Sequence, residues 1–133
     1  MKKQFLITAI LLLTGLIVTA IAGVGLGEEE VTVLDMQKKI GEGKNRQVEV
    51  LFEGPRRKIV QITLRNHAIL ESHKVPEPIT IQCIAGKGTM YVGEGRTSVE
   101  LERGTLVTIE PDIVHEIQAQ PAVSVLLSKF HEK

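Results

Sequence analysis

The sequence predicts one small, mostly β domain, a sandwich or a closed barrel, carried behind an N-terminal hydrophobic helix. Three observations predict it. No charged residue occurs from Phe5 to Gly27. From Gln47 onward, apolar and polar residues alternate with a period of two. Turn residues interrupt that alternation roughly every 8–12 positions, which divides it into about eight short strands.

The N-terminal run is flanked by Lys2 and Lys3 before it and by Glu28-Glu29-Glu30 after it. A basic flank, an apolar run and an acidic exit make an export or anchor signal with its positive end inside. Two forms are open. Phe5 to Val18 suits the apolar region of a signal peptide, and Ala20-Ile21-Ala22 offers a small-x-small cleavage pattern, so that the mature chain starts near Gly23. Alternatively, residues 5–27 are long enough to cross a bilayer, which takes about 20 residues, and stay as a single anchor. Either form places the domain outside the cytoplasm, secreted, periplasmic or tethered to the membrane. The organisation is therefore residues 1–27 as signal or anchor, 28–46 as a short helix and linker, and 47–133 as the β domain.

The chain of 133 residues carries 16 Lys and Arg against 16 Asp and Glu. Loss of residues 1–22 would remove two lysines and no acid, which leaves the domain near neutrality. No basic patch points to nucleic acid, and one Tyr, three Phe and no Trp leave nothing on which bases could stack. Cys83 is the only cysteine, so no internal disulfide can form. It sits in the apolar run Ile79 to Ile84, where burial is its first explanation.

Val33, Leu34, Met36 and Ile40, with Lys38 and Lys39 near the end, fit one or two helical turns stopped by Gly41 and Gly43. Val48, Val50 and Phe52 then alternate with Glu49 and Leu51 up to Gly54-Pro55, and a second strand runs from Ile59 to Arg65. Pro78 to Ala85 forms the next strand, ended by Gly86-Lys87-Gly88. Thr89 to Val92 and Arg96 to Leu101 make a hairpin about Gly93-Glu94-Gly95. Thr105 to Ile109 stops at Pro111-Asp112. Val114 to Ala119 and Ala122 to Leu127 complete the series on either side of Gln120-Pro121.

The order of histidines and glycines carries more information. His73, Val75, Ile79 and Gly86 stand at the spacing of a motif reading His-x-His, Glu, Gly. Gly104, Glu110, Asp112, His115 and Ala119 stand at the spacing of a second motif reading Gly, Pro-x-Gly, His, Asn. In this spacing the region from Gln47 to Phe130 resembles the cupin family. The resemblance implies a double-stranded β-helix, or jelly-roll barrel. It also implies a site inside the barrel, at which the family holds a divalent transition metal. Of the four ligand positions, His73 and His115 keep a metal-binding side chain, whereas Val75 and Ile79 replace His and Glu. Two imidazoles make a weak metal site, and the aliphatic pair makes the pocket more apolar.

If Ile79 faces inward, strand alternation turns Ile81 and Cys83 inward as well, so that Cys83 could join His73 and His115 around one cavity. The ligand-binding candidates are thus His73, His115, Cys83, Ile79 and Val75, with His73 and His115 as metal candidates. Glu77 is an outside candidate if its loop bends. Glu71 reads as a solvated loop carboxylate, His67 as a surface turn residue and His131 as part of the tail. Three functions follow as expectations. The first is a small-molecule-binding domain without a full metal site. The second is a metal-dependent enzyme of dioxygenase or isomerase type with an unorthodox third ligand. The third is a structural module that pairs as a homodimer.

Overall fold

A computed structural model describes residues 30–132. The hydrophobic helix expected over residues 5–27 lies outside the described residues, and the chain divides after Val33, with the β domain in the unit from Leu34 onward. Seven antiparallel strands make up that unit: β1 (Arg46–Glu53), β2 (Arg57–Leu64), β3 (Ile69–His73), β4 (Ile79–Val92), β5 (Thr97–Glu102), β6 (Leu106–Ile109) and β7 (His115–Phe130). The all-β expectation holds.

Two long strands organise the rest. The first half of β4 pairs with β6 and with the second half of β7, and the second half of β4 pairs with β5 and with the first half of β7. β2 joins the end of β7, β3 joins its start, and β1 lies outside β2. One wall therefore reads β1-β2-β7-β4-β6 and the other β3-β7-β4-β5, with β4 and β7 passing through both. The register of β4 on β7 slips between Cys83 and Ala85 and again between Gly86 and Gly88. These irregularities lie where each long strand crosses from one wall to the other, and bulges bend and twist the strands that carry them.

Here the structure corrects the sequence reading. Gly86-Lys87-Gly88 does not end a strand, and Gln120-Pro121 does not separate two; each lies inside one continuous strand. Glycine at 86 serves a close approach, because its φ is +75° and a side chain there would meet the Ala122 carbonyl and Ile40. The loop expected around Glu71 and His73 is strand β3.

Alternation sets the faces. Val60, Ile62 and Leu64 on β2, Ile79, Ile81 and Cys83 on β4, and Val123 and Val125 on β7 are buried and share one cluster with Met90, Leu101 and Ile117. This is the interior of the barrel.

The helix expected over Val33–Ile40 is absent. From Leu34 the segment forms no regular element and contacts the polar residues Gln61, on β2, and Arg65, just after it. Gln61 accepts a hydrogen bond from the Gln37 backbone N–H (2.9 Å) and donates one to the Gln37 carbonyl (2.7 Å). Its amide also donates to Ser124 Oγ at 2.9 Å, and Ser124 meets Thr63 Oγ1 at 3.1 Å. Arg65, 8% exposed, donates to the carbonyls of Ile40, Gly41 and Lys44 and to Gln47 Oε1, at 2.7–3.0 Å. A helix over this segment would turn the Gln37 N–H and carbonyl to its own backbone ladder and take both from Gln61, and an unsatisfied buried polar group costs more than a helical turn gains.

Arg65→Met should therefore lower the unfolding free energy by about 2–3 kcal/mol, the scale of hydrogen bonds to a charged group. Arg65→Lys should recover less than half of that, because an ammonium lacks the planar fork that reaches several acceptors at once. Urea unfolding midpoints measure both, and equal stability of all three proteins would refute the anchoring role.

Candidate functional site

His73 ends β3 and His115 begins β7, and the two residues are direct cross-strand partners. Their rings lie 4.5 Å apart between centroids, tilted by 57°. The loop before His115 is fixed by its backbone. Asp112 has a φ of +61°, a conformation open to Asp and Asn as well as Gly, and its N–H donates to the Val75 carbonyl at 2.8 Å. Asp112 thus fills a position where the motif has glycine, and keeps the turn that delivers His115 into the barrel.

Each histidine is held the same way. His73 Nδ1 lies 2.8 Å from the Glu71 carbonyl, and His115 Nδ1 lies 3.0 Å from the Ile113 carbonyl. A carbonyl can only accept, so in both rings Nδ1 carries the proton and the lone pair of the neutral ring is at Nε2. His115 is 1% exposed, and its Nε2 is buried with no hydrogen-bond partner. Burial pushes its pKa below the ordinary value of 6.5, against the opposing pull of the Ile113 carbonyl, and a charge on His73 would lower it further. His115 is therefore a neutral imidazole with a free acceptor.

A cavity of about 210 Å³ adjoins the two rings. Val75 and Ile79 line it with His73 and His115, so four of the five candidate residues meet there. The remaining wall is Val60, Ile62 and Leu127, with Val48 and Val50 at the open side, where they are 52% and 50% exposed. Lys58 and Lys129 complete it. Sequence reasoning missed both lysines, although the signal was present in their parity. Lys58 stands in step with Val60 and Ile62, and Lys129 with Val125 and Leu127, so each belongs to the inward set of its strand.

Cys83 does not join this cavity. It does face inward, in step with Ile79, but four residues further along β4, and about 3.3 Å per residue carries it some 13 Å away. It lies instead beside Met36, Lys38 and Arg103. Its thiol, 3.6 Å from the Ala85 carbonyl, is pushed up in pKa by burial, which disfavours the reactive thiolate. Glu77 also stays out of the cavity and faces His131 at 3.8 Å. His67 is exposed in a turn, as expected, with a φ of +60°.

No family model matches the sequence, and no curated protein matches it. Solved structures do match the fold. An RmlC-like cupin family protein with a double-stranded β-helix fold from Methanocaldococcus jannaschii superposes with a TM-score of 0.63 at 16% identity, covering 77% of this chain and 92% of that one. The chain has the cupin fold. An RmlC-like cupin from Desulfovibrio desulfuricans gives a TM-score of 0.59 at 22% identity, over 76% of this chain and 90% of that one. A cupin superfamily protein from Desulfitobacterium hafniense gives 0.62 at 12%, over 68% and 84%.

The metal that a cupin barrel implies does not fit this donor set. Only His73 and His115 offer a lone pair to the cavity, and the other polar residues on its wall are two lysines, which repel a cation. Among the described residues, no three His, Cys, Asp or Glu side chains come together as a ligand group.

The lowered pKa of His115 has a consequence for stability. Between the native value and 6.5 the unfolded chain binds the proton and the native protein does not. Stability should therefore fall as pH drops below about 6.5 and level off once the native His115 also protonates. His115→Gln should flatten that part of the curve of unfolding midpoint against pH. An unchanged slope in the variant would remove His115 as its source.

Proposed function

We propose that this cupin domain binds a small organic molecule in the cavity beside His73 and His115, without a resident metal and without a chemical step. The observation that carries this reading is the buried, unpartnered Nε2 of His115 at a wall of Val75, Ile79, Val60 and Leu127. An unpaired buried acceptor is costly, and a ligand hydroxyl or amide N–H of the right shape would satisfy it. The aliphatic walls supply the affinity, and the imidazole supplies orientation. A volume below that of sites for drug-sized molecules points to a small ligand. The ligand-binding module thus takes precedence over the metal-dependent enzyme, which would need a third ligand and an open coordination position.

The domain works outside the cytoplasm in this reading, exported or tethered by residues 5–27. Lys2 and Lys3 before the apolar run, and three glutamates after it, support that placement.

Two measurements test the proposal on the full-length protein. After exposure to iron, manganese, zinc, nickel and copper in turn, metal analysis should find no more than about a tenth of an equivalent per chain, since two imidazoles hold such ions weakly. Stoichiometric metal that His73→Ala and His115→Ala both abolish would instead establish the enzyme-type centre. A fragment screen followed by NMR should yield small hydroxyl- or amide-bearing compounds that shift the His115 side-chain resonances. His115→Phe, which keeps an aromatic ring of similar size but lacks the acceptor, should lose those compounds. Retention of every hit by that variant would move the binding site elsewhere.

A further inference from the structure

Lys58 and Lys129 occupy directly opposite positions on β2 and β7. Their row runs across the barrel wall as Glu53, Lys58, Lys129 and Ile79, on the face that also bears Val60, Leu127 and Ile81 in the next inward row. Both lysines line the His73–His115 cavity, and no acidic residue does. Like charges directly opposite each other in a sheet repel, and the repulsion grows where apolar walls lower the local dielectric.

The chain relieves only part of that repulsion. Lys58 Nζ lies 3.5 Å from Glu53 Oε1, on a glutamate that is itself mostly exposed. Lys129, half-buried, has no ion-pair partner among the described residues, and its neighbour on the far side is the buried Ile79. Two lysines on the wall of a cavity otherwise lined by aliphatic side chains and two imidazoles point to a site for an anion that the protein does not itself supply.

We propose that the cavity selects small organic carboxylates, with Lys129 and Lys58 holding the carboxylate and the aliphatic wall holding the body of the ligand. This rests on the small-molecule reading above and deepens it by naming the charge of the ligand. The three recognition elements are complementary. The ammonium pair takes the negative group through charge-assisted hydrogen bonds. Val60, Ile62 and Leu127 take a branched or cyclic hydrocarbon. His115 Nε2 takes a hydroxyl or N–H on that hydrocarbon where one is present. An inorganic anion would satisfy the lysines but leave the apolar wall wet, so it should bind more weakly than an organic one.

The test uses isovalerate, cyclohexanecarboxylate and benzoate, each paired with its primary amide, and inorganic phosphate as the anion without a hydrocarbon body. NMR titration of the full-length protein, read at the His115 ring and at the two lysine side chains, gives affinities. The best carboxylate should bind at least about tenfold more tightly than its own amide, the minimum expected of a charge-assisted contact. The preference should shrink as salt is raised. Lys129→Met keeps the stem and removes the charge. It should abolish the preference, and Lys58→Met should reduce it. Lys129→Met should also leave the unfolding midpoint unchanged or raise it, since a repulsion is removed, so that lost binding cannot be ascribed to lost folding.

If carboxylates and amides bind equally, and His115→Phe eliminates both, the charge assignment is overturned while the small-molecule reading stands. Equal carboxylate affinity in the wild type and in Lys129→Met overturns the assignment of the lysines. Tighter binding of phosphate than of every carboxylate overturns the organic part. Absence of binding by all seven probes, with fragment hits at His115 of other charge, overturns the carboxylate class; absence of hits of any kind overturns both readings.

Discussion

The antiparallel pairing of β4 with β7 runs from Ile79 opposite Lys129 to Val92 opposite His115. Every other strand is attached to one of these two or, for β1, through β2. The pair also sets the chemistry. Its two ends place Lys129 and His115 on the wall of the same cavity, because β7 bends across the barrel between them. A slip of one residue in this register would turn Lys129 and Leu127 outward and bring Ser128 and Leu126 in. The inner row of buried Val60 and Ile81 with half-buried Leu127 resists such a slip, since it would expose apolar surface on several strands together.

The cavity carries two kinds of polar group with different histories. His73 and His115 are each held by a carbonyl two residues earlier, Glu71 within β3 and Ile113 in the loop before β7, so their orientation is a local property of the chain. Lys58 and Lys129 are placed by long-range pairing. Each is unremarkable in sequence, and only the β2–β7 register makes them neighbours. The result is a site with a fixed neutral acceptor, an aliphatic wall and a cationic rim, a combination that suits an amphipathic anion better than a metal ion.

The outer face of the same sheet follows a different logic. Gln61, Thr63, Ser124 and Arg65 are buried there, and the irregular segment before β1 is held by the hydrogen bonds that Gln61 and Arg65 need. The apolar spacing at Val33, Leu34, Met36 and Ile40 reads as a helix because local periodicity is all that a short segment offers. The buried amide and guanidinium, 24 and 25 residues further along from Gln37 and Ile40, decide the outcome. Local propensity over one or two turns is worth less than several buried hydrogen bonds. The same competition explains the strands that continue through Gly86 and Gln120-Pro121. Glycine and proline mark bends as readily as ends, and two long partners on either side keep the chain extended.

By itself the sequence determined the all-β class, the positions of most strands and the approach of His73 to His115, because period-two alternation and motif spacing are local. It also determined that half of the ligand positions are aliphatic, which follows from Val75 and Ile79 directly. Only the tertiary structure decided what replaces them. Parity along β4 places Cys83 on the inner side with Ile79, but distance along the strand removes it from the cavity. Parity along β2 and β7 marks Lys58 and Lys129 as inward, but only their pairing makes a charged rim. Facing direction is a property of one strand; adjacency belongs to two, and it is fixed by contacts between residues far apart in the chain.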